Sequence, residues 1–160
     1  MAASYSTTAK IRQEAGFQGN SNVTDANIDN YRTRAYDLVR SYVASRYSIS
    51  LFAGALFTGS QATSVLEQCE NLLGAGWLMG SEFQGQPRGE AEGKAKVDEA
   101  KSMLKQIASG ELRLLDVNGA EFSSAGSSQE QSGPPEYTAP ARETEEPETS
   151  ERKFTVDDTY

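Results

Sequence analysis

The segment QATSVLEQCENLLGAGWLMGSEF, residues 61–83, decides the fold that the sequence predicts. Its apolar side chains recur at helical spacing, which predicts a long α-helix with one buried side. The inward positions are Val65, Leu66, Cys69, Leu72, Leu73, Trp77 and Met79. Gly74, Gly76 and Gly80 lie in the same helix, where each glycine costs about 1 kcal/mol relative to alanine. We therefore expect Gly76 and Gly80 to be packing positions at which another backbone comes close.

Two helices are predicted before this segment. Ser6 or Thr7 is suited to cap a short helix that runs to Glu14, and Thr24 is suited to cap a long helix that runs to about Arg46. The apolar stripe of the long helix consists of Ile28, Tyr31, Ala35, Leu38, Val39, Tyr42 and Val43.

One more helix is predicted after it. Gly85-Gln86-Pro87 breaks the chain, and the next helix is predicted from about Gly89 to Ser109, with Gly110 as its stop. Its apolar positions are Ala95, Val97, Ala100, Met103, Leu104 and Ile107. The lysines that alternate with acidic residues along it are typical of a solvated face.

The chain then favours a small β-hairpin, because Asn118-Gly119 suits a tight turn and leucines precede it, with Phe122 after it. The predicted fold class is therefore mainly α: three main helices, a short N-terminal helix and a small C-terminal hairpin. This helical domain is expected to cover residues 1–122, and an extended arm is expected to cover residues 123–160.

The loop predicted at residues 48–60 is unusually apolar. Leu51, Phe52 and Phe57 stand there among glycines and serines, too interrupted for a helix. Such side chains need a cover, which is either the domain's own core or a neighbouring subunit. The sequence leaves both possibilities open.

The arm has a different composition from the domain. Residues 123–150 contain no Val, Ile, Leu, Met, Phe or Trp, so this stretch cannot offset its own ordering entropy by burial. Apolar groups return at its end beside two basic residues. We expect this tip to bind a partner, through Arg152, Lys153, Phe154, Val156 and Tyr160.

Charge argues against tight nucleic-acid binding. Residues 1–122 carry 12 Lys and Arg against 14 Asp and Glu, and residues 123–160 carry 3 against 9, which together give the net charge of −8. Phosphate-backbone binding needs clustered basic residues, and the sequence has no basic block. The protein is expected to stand beside DNA without gripping it.

No catalytic or cofactor motif is present. The chain has no histidine and a single cysteine, Cys69, which excludes His-based triads, ordinary zinc sites and intrachain disulfides. The helix glycines do not have dinucleotide-fingerprint spacing. We expect no enzyme activity, no metal and no cofactor. No signal peptide opens the chain and no apolar run approaches a membrane span, so a reducing compartment is expected.

Three stretches resemble a known family. They are SYVASRYSISL at residues 41–51, LKQIASGELRL at residues 104–114 and RKFT at residues 152–155. Their order and spacing resemble the long first helix with its exit, the close of the helical domain and the basic-aromatic terminus of head–tail connector (adaptor) proteins of tailed bacteriophages, of the Mu-like or siphophage type.

The resemblance implies a structural virion protein. Its subunits, typically twelve, would form a ring beneath the portal protein, in the neck between capsid and tail. The expected partners are portal, neighbouring adaptor subunits and a stopper or tail-completion protein. Double-stranded DNA would pass through the channel without specific binding, and no membrane would be involved. Assembly would take place in the host cytoplasm, with the arm tip docked on portal or on a neighbouring subunit.

Two alternatives remain at the level of sequence. The chain could be a tail-completion or stopper ring protein of the phage neck. It could also be a soluble helical regulator whose acidic arm competes for a basic partner.

Overall fold

The computed structural model describes residues 4–124, and within them the protein is mainly helical. Four α-helices and one 3₁₀ turn account for the regular structure there: α1 (Thr8–Glu14), α2 (Asp25–Ala44), the 3₁₀ turn (Ile49–Ala53), α3 (Gln61–Glu82) and α4 (Pro87–Ser109). The predicted helical class is confirmed. The arm, residues 123–160, lies outside the described residues except for its first two.

The helix ends follow from their capping residues. The side chain of Thr7 accepts a hydrogen bond from the backbone nitrogen of Lys10, and Thr24 and Ser60 cap α2 and α3 in the same way. Gly110 ends α4 in the left-handed conformation, with φ of 85°.

The start of α4 lies two residues before the predicted one. Pro87 is its first residue, since the fixed φ of proline suits the first turn of a helix. The break itself is at Gly85, whose φ is 84°.

Helix α3 contacts each of the other three helices and divides the buried side chains into two clusters. The larger cluster packs around Cys69, and the smaller one around Leu78. The larger comprises Ala35, Val39, Val43, Tyr47, Phe52, Phe57, Ala62, Leu66, Cys69, Leu72, Leu73, Ala100, Leu104, Ile107, Leu114 and Phe122. The smaller comprises Ile11, Ala15, Phe17, Val23, Ile28, Ala75, Leu78 and Met79. Cys69 is fully buried, and this burial raises the pKa of its thiol to about 12.

Helices α3 and α4 come close enough to exclude any side chain between them. A Cβ on Gly76 would lie 2.6 Å from the carbonyl oxygen of Gly93, and a Cβ on Gly93 would lie 2.7 Å from the carbonyl oxygen of Gly76. Backbone atoms cannot move aside cheaply, so this crossing requires glycine on both helices. Gly80, for which we predicted the same role, is exposed and has open space within 4 Å of where a Cβ would stand.

A carboxylate is buried in the middle of α3. Glu70 is 0 % exposed and accepts hydrogen bonds from the backbone nitrogens of Tyr5 (2.8 Å) and Ser6 (3.2 Å) and from the hydroxyl of Ser4. Arg32 donates in turn to the carbonyl of Ser6 at 3.4 Å. Glu70 thus holds the segment before α1 against α3. Its burial raises the pKa of the carboxyl, against the opposing effect of these donors.

The chain reverses direction after α4. The amide of Gly119 donates to the carbonyl of Asp116 at 3.1 Å, and Leu115 forms an antiparallel bridge with Glu121. The described residues contain isolated bridges here, not regular strands, so the small hairpin stays a prediction.

We expect Gly76→Ala to destabilise the domain by about 1–3 kcal/mol, because its new methyl group would overlap the backbone of Gly93. Gly80→Ala is the matched control in the same helix, and it should stabilise by up to about 1 kcal/mol through helix propensity. Urea unfolding of the two variants beside wild type measures both effects. Equal stability of the two variants would show that the crossing is not tight.

We expect the contribution of Glu70 to stability to fall as the pH rises. Its pKa is raised in the folded state above the value of about 4.3 in unfolded chains, so its contribution is full below about pH 4 and is lost through the folded pKa. The unfolding free energy of wild type minus that of Glu70→Gln should therefore decrease across a pH series from about 4 upward. An increase would mean that the backbone donors favour the ionised form overall.

Candidate assembly surface

The apolar loop between α2 and α3 sends its side chains in two directions. Phe52 and Phe57 are 6 % and 7 % exposed, whereas Leu51 and Leu56 are 37 % and 53 % exposed. Of the two possibilities that the sequence left open, burial in the domain's own core therefore holds for the phenylalanines. The phenylalanines are covered by the domain itself, and the leucines are not.

Aromatic contacts hold the inward side of the loop. The ring of Phe52 packs edge-on against Phe57 with centroids 5.3 Å apart, and it lies 4.9 Å from the ring of Phe122. Tyr47 and Tyr5 complete the group, at 6.0 Å from Phe52 and 5.7 Å from Phe57. Such aromatic pairs contribute about 0.5–1.5 kcal/mol each beyond their buried area. The loop is therefore fixed to the core at two points.

The outward side of the loop continues onto the turn after α4. Val117 is 49 % exposed, and its amide donates to the carbonyl of Leu56 at 3.1 Å. We call Leu51, Leu56 and Val117 the apolar rim. They are the large apolar side chains that residues 4–124 leave exposed.

A groove of about 410 Å³ opens beside the apolar rim. We call it the rim groove. It is lined by Ser50, Leu51, Gly54, Ala55, Leu56, Asp116, Glu121, Phe122 and Ser123. Its apolar surface comes from the loop and Phe122, and its two carboxylates come from the turn after α4.

A hydrogen-bonded brace holds the carboxylate side of the rim groove. Oε1 of Glu121 accepts from Arg46 at 2.9 Å and from the hydroxyl of Tyr47 at 3.1 Å, while Arg113 approaches the second oxygen to 3.5 Å. The same tyrosine oxygen accepts from the backbone nitrogen of Leu114 at 3.2 Å. The hydrogen bond from Arg46 holds the pKa of the Glu121 carboxyl below its usual range, so this group is ionised at neutral pH.

The other carboxylate of the rim groove has no basic partner among the described residues. Oδ1 of Asp116 accepts from the backbone nitrogens of Asn118 (2.8 Å) and Ala120 (2.9 Å) and thereby shapes the turn. Asp116 is, with Glu121, one of the two carboxylates among the residues that line the groove.

Residues 4–124 have further surface hollows. One of about 390 Å³ beside α3 is lined mainly by polar residues, among them Glu67, Lys96 and Glu99. Another, of about 490 Å³, is lined by aromatic, apolar and polar residues: Ser4, Tyr5, Tyr36, Arg40, Ile49, Phe52, Ala53, Phe57 and Thr63. Within residues 4–124, no three His, Cys, Asp or Glu side chains come together that could hold a metal ion. Among the described helices, none combines the length and apolar character that crossing a bilayer requires.

The structure places the predicted site residues in three groups. Leu51 lies on the apolar rim, Phe52 and Phe57 lie in the core beneath it, and Gly76 lies at the crossing of α3 and α4. The predicted binding residues of the arm tip, from Arg152 to Tyr160, lie outside the described residues.

Sequence reasoning missed Val117 and Asp116 as surface residues. They follow α4 in the segment that we predicted as a small β-hairpin, where no surface role was assigned to them. The apolar character of Val117 beside Asn118-Gly119 was the available signal, since a tight turn rarely needs a large apolar residue.

No protein-family model, curated protein or solved structure matches this chain.

Truncating two adjacent residues of the loop should affect the unfolding free energy to very different extents. Leu56→Ser should change the unfolding free energy by less than about 0.5 kcal/mol, because the leucine side chain already contacts water. Phe57→Ala should cost about 3–5 kcal/mol, because it removes a ring from the core. Chemical unfolding of both variants tests the division, and a large loss for Leu56→Ser would mean that the rim belongs to the core.

Proposed function

We propose that the protein is a head–tail connector (adaptor) of a tailed bacteriophage, of the Mu-like or siphophage type. It is a structural virion protein. Its subunits form a ring beneath portal that extends the DNA channel and gives the tail its platform. It is assembled in the host cytoplasm and resides in the virion neck.

The apolar rim is the observation that carries this proposal. Leu51 and Leu56 line one groove, Val117 is bonded to Leu56 through its amide, and a single chain leaves these three side chains 37–53 % exposed. Covering a large aliphatic side chain is worth about 1.5–3 kcal/mol. Contiguous exposed apolar groups of this kind are typical of an interaction site. A subunit built for a ring needs such a surface.

The stretches that resemble the adaptor family also support the proposal. Residues 41–51 and 104–114 are far apart in sequence, yet the amide of Leu114 bonds the hydroxyl of Tyr47 at 3.2 Å. The guanidinium of Arg46 packs against Gly110, at a spot where a Cβ would lie 2.0 Å from Nη1. The two stretches therefore form one structural unit, and this unit borders the rim groove.

The charge of the domain suits a DNA channel. Residues 1–122 have a net charge of −2, so a ring of them would neutralise few phosphates. DNA would slide past such a lining without sticking to it.

The arm supplies a tether with a binding tip. Its net charge of −6 keeps the stretch before the tip in water, while Phe154, Val156 and Tyr160 offer apolar anchors. Portal or the neighbouring adaptor subunit is the partner of this tip, and a stopper or tail-completion protein lies on the other side of the ring. A peptide with such an aromatic anchor binds in a pocket or pairs with the edge of a sheet.

A stopper or tail-completion ring is the nearest alternative, because the apolar rim fits any ring of the neck. The strongly acidic arm favours a different class, a regulator that competes for a basic partner. The mass of the purified protein separates them. Rings, or assembly on portal, indicate a neck protein, whereas a stable small complex with a basic protein indicates the regulator.

Deleting residues 151–160 should leave thermal unfolding nearly unchanged and abolish co-sedimentation with portal. The deletion removes no residue of the helical core, so stability should stay within about 0.5 kcal/mol of wild type. Tyr137→Ser, which changes the arm but not its tip, is the matched control and should co-sediment as wild type does. Retained co-sedimentation of the deletion variant would refute docking through the tip.

A further inference from the structure

We propose that the rim groove is the docking site for the arm tip of a second copy of this chain, residues 152–160. This inference rests on the proposed ring and names the contact that joins one subunit to the next. It assigns the tip to a neighbouring subunit, so that deleting the tip abolishes co-sedimentation with portal by preventing ring assembly.

The chemistry of the groove matches the tip. The walls at Leu51, Leu56 and Phe122 are apolar, and the carboxylate of Asp116 at the mouth has no basic partner among the described residues. The tip carries two basic and two acidic residues, and its basic pair, Arg152 and Lys153, directly precedes the aromatic anchor Phe154, whereas Asp157 and Asp158 follow it. A basic pair beside an aromatic anchor fits an acidic mouth beside an apolar wall.

The rest of the arm offers no competing occupant of equal quality. Residues 123–150 contain no Val, Ile, Leu, Met, Phe or Trp, and Tyr137 is the single large aromatic among them. They are also strongly acidic, and like charges at Asp116 and Glu121 would disfavour them in the groove. The tip is thus the part of the arm that the groove selects.

The length of the arm allows a neighbour to be reached. Ser123 lines the groove, and 27 residues, 125–151, separate Ser124 from the tip. A polypeptide of that length spans about 30 Å as a random coil and at most about 90 Å. A compact domain of this size is about 35 Å across, so the groove of an adjacent subunit lies within reach.

A groove and a tip at different places on one chain make a head-to-tail contact. Such a contact closes into a ring when the rotation between subunits is right, whereas a self-complementary patch gives a two-fold dimer. The apolar rim alone could serve either geometry. The pairing of the rim groove with a distant tip favours the ring.

Paramagnetic broadening in the full-length protein tests the contact directly. A nitroxide is attached to one sample through Asp158→Cys, and Cys69 stays unlabelled because it is fully buried. This sample is mixed with full-length protein that carries methyl isotopes and no nitroxide. The methyl signals of Leu51, Leu56 and Val117 should lose at least half their intensity, while those of Ile11 and Leu78 in the smaller core cluster should not.

Matched variants make the outcome specific. Phe154→Ala in the nitroxide-bearing chain should remove the broadening, and Tyr137→Ala should leave it. Asp116→Asn keeps the oxygen that accepts from the turn but loses the charge, so it should weaken the contact about two- to fivefold.

Several results would overturn the inference. They are unchanged methyl signals in the mixed sample and broadening that survives Phe154→Ala. A third is broadening that appears only in a control sample whose chains carry both the nitroxide and the isotopes. The first would also be expected if the tip binds portal alone. Co-sedimentation with portal without rim broadening would keep the proposed function and remove this contact. Broadening of the methyl signals of the apolar rim without co-sedimentation would keep this contact and contradict the proposed function.

Discussion

The burial of Phe52 and Phe57 is the constraint on which the functional surface depends. These rings interlock with Tyr47 and Phe122, which come from the end of α2 and from the segment after α4. Because both phenylalanines point inward, the residues next to them, Leu51 and Leu56, are forced outward. The domain therefore obtains an exposed apolar surface as a consequence of its own core packing. A loop held less firmly could turn its leucines inward and lose the surface.

The sequence predicted the helices well and the contacts between them poorly, for a physical reason. Apolar periodicity and capping hydroxyls are local signals, so Thr24 and Ser60 marked helix starts correctly. The contact of Gly76 with Gly93 joins two different helices, so the sequence of one helix alone does not reveal its partner. Gly80 looked the same as Gly76 in the sequence, but it faces solvent. Glycines within a helix indicate close packing, but the position of the neighbouring helix determines which glycine lies at the contact.

The candidate surface was even less visible in the sequence. Leu51 and Val117 are separated by the whole of α3 and α4, and their common location depends on the backbone hydrogen bond from Val117 to Leu56. The buried Glu70 was missed as well, because nothing local distinguishes it from the exposed acids around it. Both features need tertiary contacts that bring distant segments together.

The size of the apolar rim fits assembly by many weak contacts better than assembly by one strong contact. Three partly exposed aliphatic side chains, and one carboxylate without a basic partner among residues 4–124, provide only a few kcal/mol in a single interface, because much of the gain is offset by lost translational freedom. In a closed ring each subunit makes the contact twice, once through its groove and once through its tip. Once one contact has formed, the next contact in the ring is intramolecular and has a higher effective concentration. In the proposed ring, a surface this modest would join the subunits firmly only when many such contacts form together.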